Sequence, residues 1–314
     1  MDLRLSTDLA AVRESTRALL QQHAGAARAR AMRNAVDREL LDQLDEHGFL
    51  DLATSEGCSL VDAILLVEEA ERAYARAPVA ARAVVGALIA EVNGNVIGLA
   101  EPDRLVRYAG LCDSYLFMSG EQGYVCDAAD AETSRIDSRW GYPLGYVRPI
   151  RCRELDPGTT AQLRRLWRIA LAAEMGAQMQ VAVQLSARYV TDRRQFGRPI
   201  GTYQAVSHQL ATAHVYAEGA TWLARRAGAD PNDEVSAAVA ATYACEAADV
   251  VIRATHQVTG AIGITEEYDL VLSTMRLGVL KLEFGGARAH ARATARGHWP
   301  KLCAQPAQES GGQD

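Results

Sequence analysis

The stretch Thr191–Gln204, TDRRQFGRPIGTYQ, sets three arginines, one phenylalanine, two glycines and a proline between two long runs of helical periodicity. A helix stop needs only part of that. Gly197 relieves the backbone and Pro199 cannot donate to a helix, so the first helix is predicted to stop after Phe196. Arg193 and Arg194 then fall in its last turn, where cations complement the helix dipole. The arginines and Phe196 therefore either cover a surface or hold a ligand, and spacing alone leaves both readings open.

Outward from this bend, residues 159–300 read as a C-terminal four-helix bundle, with helices over 161–195, 202–227, 232–258 and 267–295 separated by Gly/Pro/Asp turns. Residues 1–97 read as an N-terminal helical domain. There Leu40, Leu41, Leu44 and Phe49 recur at helical intervals across a Gly48 stop, and Ser59 with Asp62 signals a helix start. A third run, PVAARAVVGALIAEV, begins at Pro78, an allowed first-turn proline. Between 98 and 158 the helical period fades, and YLFMS, GYVCD and YVRPIRCREL read as short strands of a reduced β segment. Residues 301–314 are polar and expected to fray. The fold class expected is mainly α.

Composition narrows function. Hydrophobic residues make up 49%, enough for a real core, while aromatics are 6%, so alanine-rich helix packing is favoured over sheet. A net charge of −6 argues against a nucleic-acid partner. The six cysteines, at 58, 112, 126, 152, 245 and 303, form no C-x-x-C pair, so no metal site is expected and reduced thiols are. His208 and His214, six apart, do not share a helix face. The charged N-terminus is unlike an export signal, and no uncharged apolar stretch reaches the roughly 18 residues of a membrane span. A cytoplasmic protein with no membrane partner is the expectation.

RYVTDRRQFGRPIGTYQAVSHQLA resembles the acyl-CoA dehydrogenase signature, in which a helix ends in R-x-x-F-G-x-x-I and re-enters at an aromatic–Gln pair. HQVTGAIGITEEYDL, His256–Leu270, resembles the same family's Q-x-x-G-G-x-G segment, in the same order and at the same interval. LLDQLDEHGFLDL and ILLVEEAERA match the family's N-terminal helices more loosely. The resemblance implies an acyl-CoA dehydrogenase-like fold and FAD as cofactor. It puts Arg193 on the FAD pyrophosphate, Gln195 and Phe196 on neighbouring contacts, and Gln257 and Gly260 at the adenosine half, all facing the flavin of another subunit. Arginine's forked permanent cation suits a pyrophosphate, and glycine lets backbone amides come close.

The sequence also departs from the family. Aligning MRLGVLKLEFGGARAH puts Gly285 where the family's catalytic glutamate stands, and the alternative glutamate position falls near Leu166, where no carboxylate is available. Two weak substitutes exist. Glu174 lies in an apolar helical stretch, where burial would raise its pKa, or else it bonds Gln178 one turn on. Glu283 lies two residues before Gly285, facing away on a continuous helix, and reads as a surface or packing residue. The family's T-E-P-x-x-G-S-D loop and W-I-T-N strand are missing from 98–158; GLAEP and the tryptophan of SRWGYP are the nearest fragments, with Trp140 read as a packing aromatic.

The pattern resembles the short degenerate subunit of actinobacterial heteromeric (α2β2) acyl-CoA dehydrogenases, several tied to steroid breakdown. The function expected is FAD-dependent α,β-dehydrogenation of an acyl-CoA together with a full-length partner that supplies the base. A free-standing homomeric dehydrogenase using Glu174 or Glu283 is one alternative. A non-enzymatic helical scaffold or regulatory subunit is another.

Overall fold

The computed structural model describes residues 5–139 and 141–300. Trp140 and the 301–314 tail, for which packing and fraying were expected, lie outside the described residues. The N-terminal apolar pattern produces α1 (Thr7–His23), α2 (Ala26–Ala31), α3 (Arg38–Glu46) and α4 (Leu60–Arg72). Helix α3 buries Leu40, Leu41 and Leu44 and is followed by Gly48 in the left-handed region. Helix α4 opens on a reciprocal Ser59–Asp62 capping box. Its acidic run EEAE is buried because other helices neutralise it: Glu68 meets Arg225, Glu69 meets Arg17, and Glu71 meets Arg276. The Pro78 run gives less helix than expected, one wide turn (Ala81–Val85) and one tight turn (Gly86–Leu88). Ala80, Ala81, Ala83, Val84 and Val85 are buried on successive positions, so the segment is core filler without an amphipathic stripe.

The β segment makes two small sheets. In one, β1 (Ile97–Ala100) runs parallel to β3 (Ser114–Ser119), which pairs antiparallel with β4 (Gln122–Asp127), and β7 (Arg153–Glu154) closes the far edge. In the other, β2 (Val106–Arg107) and β5 (Ala131–Ile136) flank β6 (Leu144–Pro149). YLFMS and GYVCD are strands as expected.

The C-terminal half supplies α5 (Pro157–Asp192), β8 (Arg194–Gln195), β9 (Arg198–Pro199), α6 (Gln204–Ala229), α7 (Glu234–Thr259), α8 (Leu270–Leu280) and α9 (Gly286–His298). Helices α5, α6 and α7 pack on one another, with α8 against α5 and α9 against α7. Their seams are alanine: Ala172, Ala173, Ala217, Ala220, Ala244 and Ala248 are fully buried. By length and composition Glu234–Ile264 is apolar enough to cross a bilayer, although Glu246 and Asp249 keep it from being uncharged; half of its apolar window is buried in the bundle. That is the pattern of a core helix.

Two helix ends differ from the sequence reading. Helix α5 stops at Asp192 rather than after Phe196, and Arg194–Pro199 folds back as a β-hairpin. Arg193 is the C-cap and Arg194 a strand residue, so neither sits in a last helical turn. The run expected as one helix over 267–295 breaks between α8 and α9, where Phe284, Gly285 and Gly286 take φ of 50°, 77° and 67°. Phe284 turns to stack on Trp167 at 4.6 Å between ring centroids, and the adjoining glycines permit the bend.

Candidate functional site

The first candidate surface is the α5–α6 corner. Phe196 and Gly197 are the two central residues of the hairpin, with φ of 51° and 79°, as a tight primed turn requires. A phenylalanine in this region is strained, and its side chain is 92% exposed. The base of the hairpin is firm: Ile200 N donates to the Arg193 carbonyl at 2.8 Å, and the Arg198 guanidinium lies over the Tyr203 ring at 4.0 Å. Val190, Leu210 and Val258 form a small apolar cluster that joins α5, α6 and the C-terminal end of α7. The two motif segments, Arg193–Phe196 and Gln257–Gly260, are thereby held at one end of the bundle.

The polar groups there have no partner among the described residues. Arg193, Gln195 and Gln257 are exposed, and their side chains make no hydrogen bond or ion pair. Gly260 has φ 64°, and a Cβ added there would meet nothing within 4 Å. Unpaired forked donors, a free amide and an open backbone suit a phosphate-bearing dinucleotide, so these five residues fit the adenosine and pyrophosphate side of FAD.

The interior is a second feature. A cavity of about 850 Å³ lies between the sheets and the bundle, walled by Leu144 and Tyr146 of β6, Trp167 of α5, Ile252 of α7 and Val279 of α8. Glu283 also lines it and is not a surface residue: the broken helix turns its carboxylate inward, onto Arg107. Glu174 does not bond Gln178, whose amide donates to Glu71 instead; it takes a two-pronged bond from Arg107, at 2.7 and 2.9 Å. Burial pushes the Glu174 carboxyl up while Arg107 pulls it back. Trp167 Nε1 reaches Glu283 at 3.4 Å, from the residue beside Leu166. Both carboxylates proposed from sequence are thus brought together on one guanidinium, as a buried ion cluster.

Gly285 is exposed and adjoins Phe284, which with Glu101 lines both this cavity and a neighbouring one. Its N–H donates to Glu101 Oε2 at 3.1 Å. Burial raises the Glu101 pKa, and the bond from Gly285 opposes the shift. A Cβ at Gly285 would lie 2.6 Å from the Ala289 Cβ, on a backbone already left-handed, so the surrounding structure has settled around glycine. Beside it a smaller cavity of about 510 Å³ is lined by Arg164, Arg168, Arg292 and Arg296 together with Glu101, Glu121 and Glu234, and Glu121 and Glu234 pair with Arg164, Arg168 and Arg296. Arg168 is only 6% exposed, yet its Nε has no hydrogen-bond partner. Arg107 and Glu101 were not picked out from the sequence: the only signal for Glu101 was the GLAEP fragment, and for Arg107 there was none.

His290, on α9 and fully buried, faces this region. Burial first, then the nearby Arg168, lowers its pKa from 6.5 to about 4. A depressed histidine pKa means the folded state holds fewer protons than the unfolded one below 6.5. The stabilising contribution is present above 6.5 and is lost as pH falls through 4, on the order of 3 kcal/mol. The difference in unfolding free energy between wild type and His290→Leu is expected to move by that order between pH 7 and 4. A pH-independent difference would refute this.

Among known proteins, the acyl-CoA dehydrogenase C-terminal domain matches residues 161–296. The acyl-CoA dehydrogenase IpdE2 of Mycobacterium tuberculosis is 30% identical over 294 residues, covering 83% of this chain and 88% of the relative. Among solved structures, the ChsE4–ChsE5 complex from Mycobacterium tuberculosis has a chain matching at TM-score 0.79 and 18% identity, covering 98% of this chain and all of that one. A Tcur3481–Tcur3483 steroid acyl-CoA dehydrogenase variant matches at TM-score 0.81 and 23% identity, covering 95% of this chain and 99% of that chain.

Proposed function

Because the chain belongs to the acyl-CoA dehydrogenase family, we propose that it is the non-base-bearing subunit of a heteromeric acyl-CoA dehydrogenase. In this reading it presents Arg193, Gln195, Phe196, Gln257 and Gly260 to FAD held chiefly by a full-length partner. The observation that carries the reading is the α5–α6 corner: a strained, 92% exposed Phe196 beside an arginine with no partner among the described residues, on a hairpin anchored at its base. Such strain and exposure accompany a surface that another molecule completes.

FAD supplies the hydride acceptor for α,β-dehydrogenation when bound. Within this chain, Arg193 would neutralise the pyrophosphate, Gln195 and Gln257 would donate to the nucleotide, and Phe196 would cover it from water. Arg107's hold on Glu174 and Glu283, and the glycine at 285, support placing the base on the other subunit. The cavity beside Gly285 is lined by arginines and glutamates together, and the nearby carboxylates are paired with other groups. Likeness to a steroid acyl-CoA dehydrogenase favours a steroid-derived acyl-CoA as the substrate class, and a cytoplasmic α2β2 heterotetramer is proposed as the working form.

Co-expression with a full-length dehydrogenase tests the proposal. The chain alone is expected to be colourless and inactive, and the purified pair to be yellow and to reduce an electron acceptor with an acyl-CoA. A yellow, active preparation of the chain by itself would favour the homomeric alternative.

A further inference from the structure

We propose that Cys126 and Cys152 are a reversible dithiol–disulfide pair that fastens the β5–β6 hairpin. The strand register places them together. Tyr124 stands opposite Glu154 and Val125 opposite Arg153, so one step further along the antiparallel pair sets Cys126 opposite Cys152. Leu155 N donates to the Gly123 carbonyl, which makes 123/155 a hydrogen-bonded pair. The pairs alternate, so 125/153 is hydrogen-bonded and 126/152 is not. Non-hydrogen-bonded positions bring Cα atoms to about 4.5 Å, within the span a disulfide bridges. Burial raises both thiol pKa values, that of Cys126 to about 12, and each thiol also perturbs the other.

Access is unequal. Cys152 is exposed, whereas Cys126 is buried and its thiol points at the Asp130 and Arg151 carbonyls. Cys152 is therefore the attacking group and Cys126 the resolving one. With a low-molecular-weight disulfide as oxidant, the Cys152 thiolate attacks one of its sulfurs and releases the first thiolate. Cys126 then loses its proton and attacks the Cys152 sulfur, releasing the second. The protein gives up two hydrogens and gains one S–S bond, and the oxidant becomes two thiols.

The link would join the two ends of segment 127–151. That segment contains β5 and β6, and through β6 the Leu144 and Tyr146 walls of the large cavity. Closing it restricts how far these walls can open, so the redox state would set the width of the cleft.

The test treats the full chain, in its complex, with excess oxidised glutathione and maps the peptides by mass spectrometry without reduction. The expected product is a Cys126–Cys152 cross-linked peptide, reversed by dithiothreitol, with two of the six thiols lost. Cys152→Ser should abolish the cross-link and leave Cys126 as a free thiol. A glutathione adduct on Cys152 with no cross-link, a cross-link to another cysteine, or six persistent thiols would each overturn the proposal.

Discussion

Replacing Arg107 by methionine is expected to destabilise the fold by about 3–5 kcal/mol, the cost of leaving buried charges without their counterion. Arg107 is 9% exposed and binds Glu174 and Glu283 at once, with its guanidinium over the Tyr142 ring at 4.8 Å. Methionine keeps much of the packing volume and removes the charge, so the loss reports electrostatics and not a cavity. Neutralising the partners as well, with Glu174→Gln and Glu283→Gln in the Arg107→Met background, should recover a large part of the loss. Denaturant midpoints of the wild type, the single variant and the triple variant measure this. An unchanged midpoint for the single variant would mean that the cluster is not the buried triad described.

The second large effect concerns the flavin. In the complex, Arg193→Ala is expected to weaken FAD binding about 30- to 150-fold, the value of roughly 2–3 kcal/mol for a charge-assisted contact to an anion. Arg193→Lys should restore part of this, since lysine carries the charge without the fork. Because Arg193 is exposed and unpaired, the stability of the chain itself should change by less than about 0.5 kcal/mol. Fluorescence titration of the deflavinated complex gives the affinities. A non-enzymatic scaffold would lose no flavin from its complex with this substitution.

Local chemistry was what the sequence could show. The Gly48 stop, the Ser59–Asp62 start and the long alanine-rich helices follow from neighbours in the chain, and they are observed. Strand β5, AETSRI, was missed because its residues lie mostly exposed and carry little apolar alternation. The α5 stop was misplaced because glycine and proline mark the turn of a hairpin as readily as the end of a helix. The break at Phe284 has a local signal in Gly285–Gly286, but the turn of Phe284 onto Trp167, far away in sequence, has none.

The site divides in the same way. Arg193, Gln195 and Phe196 stand in one motif, and Gln257 and Gly260 in another, so each group could be found by reading along the chain. Arg107, Glu174 and Glu283 are joined across separations of 67 and 176 residues. Nothing in a segment of sequence distinguishes a buried glutamate that meets an arginine from one that meets a glutamine. Only the packing of β2 against α5 and the α8–α9 break settles it.

The most direct measurement is the flavin content of the purified complex with a full-length partner, taken from the visible absorbance of released FAD against the amount of each chain. A half-site carried by this chain and completed by the partner gives one FAD per pair of unlike subunits. Two FAD per pair, or one FAD on this chain purified alone, would contradict it.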